Sequence, residues 1–180
     1  GANVDETISS WAKPSRVGYT VTGYSYKETG GSFTTITDKN LGDWLEAIAT
    51  DSLNTGKTAT IYPNWQIDSI TITITGENLA SISANPDDEV NIVDGDFAED
   101  SASVTVDYYS SFNLTLTTKN GYKITGVRIG NNVQSEGLGK NSFTASFTKL
   151  GASTRIQVTR RPITVTLNFG KNIPTVEGAL

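Results

Sequence analysis

Apolar and polar residues alternate with period two through much of the chain. Ile70, Ile72 and Ile74 alternate with Thr71, Thr73 and Thr75. Val104, Val106 and Tyr108 alternate with Thr105 and Asp107, and Phe112, Leu114 and Leu116 with Asn113 and Thr115. Phe143, Ala145 and Phe147 form a further set, as do Ile163, Val165, Leu167 and Phe169. Each set places its apolar members on one face of a strand and leaves the threonines to face out. Between the sets stand turn signals. Asn120-Gly121 suits two positive-φ positions and predicts a tight hairpin joining 112–118 to 122–129. Within 122–129 the apolar parity slips, from Tyr122 and Ile124 to Val127 and Ile129. One extra residue near Thr125-Gly126 explains this as a β-bulge. Asp94-Gly95 and Gly130-Asn131 mark further turns.

One stretch has helical spacing instead. Leu41, Trp44, Leu45 and Ile48 fall at i, i+3, i+4 and i+7, a single apolar stripe that predicts a helix over 41–49. Asn40 is its candidate N-cap, and Asp43 lies near the positive end of the helix dipole. Short strands and this helix precede residues 65–67, and regularly spaced strands follow up to Arg161. That change of pattern predicts two units: an α+β module over 1–66 and a small β-sandwich over 67–161, with 162–180 as a separate segment.

Composition narrows the chemistry. The 180 residues include no Cys, His or Met, and the net charge is −5. Disulfides, zinc–thiolate sites, cysteine nucleophiles and serine–histidine triads are therefore excluded within this sequence. The longest apolar run is Ala47-Ile48-Ala49, far short of the roughly 20 residues a membrane-spanning helix needs. An isoelectric point near 4.7 argues against nucleic acid as the main partner. Met is missing even at position 1, which leads us to expect a piece of a longer chain with Gly1 as a remnant of expression. The 26 threonines fit the outward half of the strand alternation. Charge is segregated: ten acids and no base lie between Thr58 and Thr118, then eight bases and one acid, Glu136, between Lys119 and Arg161. Cross-strand pairing within one sheet or sandwich is the expected use of these two runs. An acidic and a basic face that steer stacking between copies is the alternative.

The first third runs Lys13-Pro14-Ser15-Arg16-Val17-Gly18-Tyr19-Thr20-Val21-Thr22-Gly23-Tyr24, with a turn at Gly30-Gly31 and a closing Ile61-Tyr62-Pro63-Asn64-Trp65. In this it resembles the internalin-type B repeat of bacterial surface proteins. Val21, Tyr24 and Pro63 stand where that repeat usually has Phe, Trp and Ala. The resemblance implies a β-grasp-like fold and an extracellular setting at a bacterial surface. The repeat's opening strand is not evident here, but Ile163-Thr164-Val165-Thr166-Leu167-Asn168-Phe169-Gly170 is of that type. We therefore expect residues 162–180 to start a further repeat or to complete the first module, with 163–169 adding a strand to the N-terminal sheet in the same molecule or head-to-tail in a neighbouring copy. The stretch Asn120-Gly121-Tyr122-Lys123-Ile124-Thr125-Gly126-Val127-Arg128-Ile129 is similar to a looser pattern of immunoglobulin-like surface repeats. Asn141-Ser142-Phe143-Thr144 and Thr154-Arg155-Ile156-Gln157-Val158 continue it, implying an immunoglobulin-like sandwich.

Several stretches carry residues with possible chemistry. Asp87, Asp88, Glu89, Asp94, Asp96, Glu99 and Asp100 supply hard oxygens of the kind calcium takes, but without EF-hand spacing; they read as solvated loop charges. Ser135-Glu136-Gly137-Leu138-Gly139-Lys140-Asn141 lacks both the first glycine and the hydroxyl of a phosphate-binding loop, and reads as a hairpin loop. Trp11, Tyr24, Tyr26 and Trp65 offer rings for sugar stacking, with Tyr24 and Trp65 better explained as core; Trp44, on the helix stripe, is core. Lys123 and Lys149 are eligible for an isopeptide cross-link. No catalytic residue, metal site or cofactor is nominated. The expected protein is a mainly β, two-module, non-catalytic spacer or adhesive piece of a bacterial cell-surface or secreted protein. Its expected partners are proteins or glycans at a surface. The alternative is a carbohydrate-binding module.

Overall fold

A computed structural model describes residues 13–27, 33–36, 41–50 and 60–167. They are mainly β. The first unit is a three-stranded antiparallel sheet in the order β2-β1-β3, built from β1 (Tyr19–Lys27), β2 (Phe33–Ile36) and β3 (Ile61–Ile67). Helix α1 (Leu41–Thr50) lies between β2 and β3 in sequence and matches the predicted span to within one residue. Its capping candidate Asn40, the Gly30-Gly31 turn and Trp11 lie outside the described residues. Tyr24, Ile36 and Leu41 are buried together, with Val21, Tyr26, Trp44 and Ile61 packed against them. Tyr26 meets Trp44 edge to face, with ring centroids 4.9 Å apart.

The remaining strands form two further sheets. β4 (Ser69–Thr75), β6 (Asn91–Val93), β7 (Ser101–Asp107), β9 (Tyr122–Ile129), β10 (Asn132–Gln134) and β12 (Thr154–Pro162) make a six-stranded sheet in the order β10-β9-β12-β4-β7-β6. β5 (Leu79–Ala84), β8 (Ser110–Thr118) and β11 (Ser142–Leu150) make the second, in the order β11-β8-β5. The alternation read from sequence is the burial pattern. Ile70, Ile72 and Ile74 of β4 point inward with Val104, Val106, Ile156 and Val158; from the facing sheet come Phe112, Leu114, Leu116, Phe143, Ala145 and Phe147. One buried apolar cluster therefore joins the two sheets into a sandwich. Phe97, from the loop before β7, is fully buried in it.

Two expectations about connections are corrected. The Asn120-Gly121 turn forms, with Gly121 at φ +84° and the Tyr122 N–H donating to the Lys119 carbonyl, but β8 and β9 belong to different sheets. It is a corner, not a hairpin. Buried Thr118 secures it, its hydroxyl lying within bonding reach of the Tyr122 and Asn141 carbonyls at 2.9 and 3.2 Å. The 135–141 loop likewise crosses between sheets, from β10 to β11. A two-residue turn is compatible with both geometries, so the dipeptide alone does not choose. The described part of the 163–169 segment, residues 163–167, is not a strand and pairs with no sheet among the described residues. The Ile163 N–H donates to the Gly121 carbonyl at 2.7 Å, and beyond it Val165 and Leu167 are exposed. The predicted bulge is present: Thr159 and Arg160 of β12 face Gly126 and Ile124, leaving Thr125 as the extra residue.

Candidate functional site

One residue, Asp68, separates β3 of the first unit from β4 of the sandwich. Its N–H donates to the Gly18 carbonyl at 2.9 Å, and its own carbonyl accepts from the Tyr108 N–H at 2.8 Å. Its carboxylate accepts from the Thr20 hydroxyl at 2.6 Å. Gly18 has φ +75°, and a β-carbon built on it would lie 2.0 Å from the Tyr108 ring. Backbone and ring thus approach more closely than any other residue type permits. Beside this joint Tyr108 stacks on Tyr109, Lys149 sits 5.8 Å from the centroid of the Tyr109 ring, and Arg16 covers Tyr19 at 3.8 Å.

A second feature is the outer face of the six-stranded sheet. Because inward positions of β4 are taken by isoleucine, Thr71, Thr73 and Thr75 face out. β12 runs parallel beside it, with Arg155 opposite Thr73 and Gln157 opposite Thr75. On its other side β9 places Arg128 opposite Gln157. With Gly130, Asn131, Ser153 and Thr154 these residues line an open hollow of about 800 Å³. The Ser153 hydroxyl also accepts the Thr71 N–H at 3.1 Å, which fixes the hollow's floor to β4. Sequence reading missed Arg128 and Arg155. The parity of Arg155-Ile156-Gln157-Val158 does put both polar residues outside; what the sequence does not show is that β12 lies beside β4, some eighty residues away.

The stretches with candidate chemistry are not brought together into a site among the described residues. Among the described residues no group of three or more acidic side chains is placed to hold a metal ion. The 135–141 loop turns its backbone inward: the Gly139 N–H donates to the Ile124 carbonyl at 2.7 Å. Tyr24 is buried, Tyr26 and Trp65 are half-buried, and Trp11 lies outside the described residues, so no exposed line of rings forms among those described. Lys149 is on the surface; Lys123 is half-buried beside the Asn120-Gly121 corner. The expected pairing of the two charge runs is also corrected. Between them, among the described residues, the one ion pair is Arg160–Glu77. The acids cluster in the loops flanking β6, which is three strand spacings, about 14 Å, from β12. At that separation screening leaves little attraction.

Comparison with curated proteins and with solved structures returns no match. Residues 4–96 match the family described as a domain of unknown function, DUF4859. The match covers the described elements of the first unit and continues through β4, β5 and β6, so it crosses the Asp68 joint and includes strands of both sandwich sheets. It takes in more than half of the 180 residues, and the chain belongs to the DUF4859 family.

Proposed function

We propose that the chain is a non-catalytic spacer or adhesive module of a bacterial cell-surface or secreted protein. In this reading a β-grasp-like unit of internalin B-repeat type is followed by an immunoglobulin-like sandwich. The observation that carries it is the Asp68 joint. A spacer must hold its units at a fixed angle, and here one residue separates them while three hydrogen bonds and the Gly18–Tyr108 contact restrain it. The three-stranded sheet and helix support the grasp half, and the two-layer packing supports the sandwich half. The exposed alternation of Ile163, Val165 and Leu167 supports a head-to-tail contact in which this segment adds a strand to the sheet of a neighbouring copy.

An antibody against the chain should label intact cells of the source organism; labelling only after permeabilisation would end the surface reading. Small-angle scattering should give one rigid arrangement for the native chain and a broadened one for Asp68→Ala. Identical profiles would remove the spacer argument. In sedimentation, Leu167→Asp should abolish any concentration-dependent association; association that persists in the variant would exclude the strand contact.

A further inference from the structure

Strands β4, β9, β10 and β12 are neighbours, and none contains an Asp or Glu, although the chain as a whole carries a net charge of −5. They do contain Lys123, Arg128, Arg155, Arg160 and Arg161. Arg160 pairs with Glu77; among the described residues Arg128 and Arg155 make no ion pair. These two project from the same outer face. Arg128 is directly opposite Gln157, two residues from Arg155, and the Gly130 N–H donates to the Arg155 carbonyl at 2.9 Å. Diagonal neighbours of this kind lie about 7–8 Å apart at the backbone, and long side chains converge easily over that distance. Gly130, opposite Arg155 and without a side chain, also lines the hollow.

We propose that this hollow binds an acidic polysaccharide through its carboxylates, with Arg128 and Arg155 as the recognising pair. Two like charges that are near each other and without a carboxylate partner repel, so an anion between them is favoured. Guanidinium forks match a carboxylate with two parallel hydrogen bonds. The remainder of the lining suits sugar hydroxyls: Thr71, Thr73 and Thr75 repeat along β4, with Gln157 and Asn131 alongside. No aromatic ring lines the hollow, so a neutral sugar has no stacking surface there and the charge must supply the selectivity. A volume of about 800 Å³ accommodates a few sugar rings of a chain lying across an open face. Arg128 and Arg155 lie outside the residues matched to the family, while Thr71, Thr73 and Thr75 lie within them.

Affinity electrophoresis of the whole chain in gels containing polygalacturonate, dextran sulfate or neutral dextran tests it. Polygalacturonate should retard the chain and neutral dextran should not. Arg128→Gln with Arg155→Gln should weaken binding at least tenfold with an unchanged melting temperature. Lys123→Gln with Arg161→Gln, which removes the same charge away from the hollow, should change it less than threefold. Equal losses from the two pairs would show general charge attraction and overturn the site. Binding to dextran sulfate alone would overturn the carboxylate class, and no binding to either polyanion would overturn the proposal.

Discussion

The sandwich and the N-terminal unit are stabilised differently. The sandwich buries aliphatic faces of two sheets against each other, and Ile72, Ile74, Leu114, Leu116 and Ile156 are fully buried. The described core of the first unit gathers Tyr24, Ile36 and Leu41, with half-buried aromatic side chains around it. Burial of apolar area sets the scale of stability. A core built from both layers can hold itself together, whereas the smaller unit gains from being held against its neighbour at Asp68 and Gly18. The two regions should therefore respond unequally to damage. Loss of the sandwich should take the first unit with it, and loss of the first unit should leave the sandwich folded.

Ile72→Ala is the strongest way to break that comparison. Ile72 is fully buried at the centre of β4, between Thr154 of β12 and Val104 of β7. A truncation there costs about 2–5 kcal/mol through lost transfer energy and the cavity left behind. Denaturant unfolding followed by Trp44 and Trp65 fluorescence should then show the first unit unfolding earlier as well. A first-unit transition that stays in place would show that the unit does not depend on the sandwich.

Trp44→Ala probes the opposite direction. Trp44 is half-buried and gains an edge-to-face contact with Tyr26, so its removal should cost about 2 kcal/mol, below the full-burial range for a large ring. The loss should be confined to the first unit. Sandwich amides in β4 and β8 should keep their hydrogen-exchange protection; an equal loss there would make the chain one cooperative body.

How legible these regions were in the sequence follows from the same difference. In the sandwich, alternation gave both the strands and their buried faces, since one face of each strand has nowhere to go but inward. The slip at Thr125 was legible for the same reason: a bulge reverses parity. Partnering was not legible. Nothing local says that Asn120-Gly121 turns a corner between sheets, or that β12 lies parallel to β4, because pairing is decided by the packing of the whole set. The charge runs misled for this reason, being complementary along the chain but three strands apart in the fold. The helix of the first unit was legible from its stripe. The site at Arg128 and Arg155 needed the strand order before its two members could be seen as neighbours.

The joint itself is tested by Gly18→Ala. The added β-carbon meets the Tyr108 ring, and φ is +75°, so both crowding and backbone strain oppose it. The expected cost is about 1–2 kcal/mol, felt by the first unit. Adding Tyr108→Ala removes the crowding and leaves the strain, so it should recover part of the loss. A double variant as unstable as the sum of the two single variants would show that ring and glycine do not communicate across the joint.

Glu77→Gln should have the smallest effect. Its carboxylate pairs with Arg160, but Glu77 is 68% exposed on its side chain, whereas Arg160 is 24% exposed. An exposed pair contributes about 0–1 kcal/mol, and the half held in solvent sets that limit. The pair bridges the turn after β4 to the bulged region of β12, where Arg160 faces Ile124. Its loss should therefore loosen the sandwich locally and leave the first unit unchanged. The difference in midpoint between native and variant should shrink further as salt is raised from low to near-molar concentration, because surface attraction is screened. A salt-independent loss above about 1 kcal/mol would place the pair among the buried interactions. It would also make this part of the sandwich depend on charge as well as on its buried apolar faces.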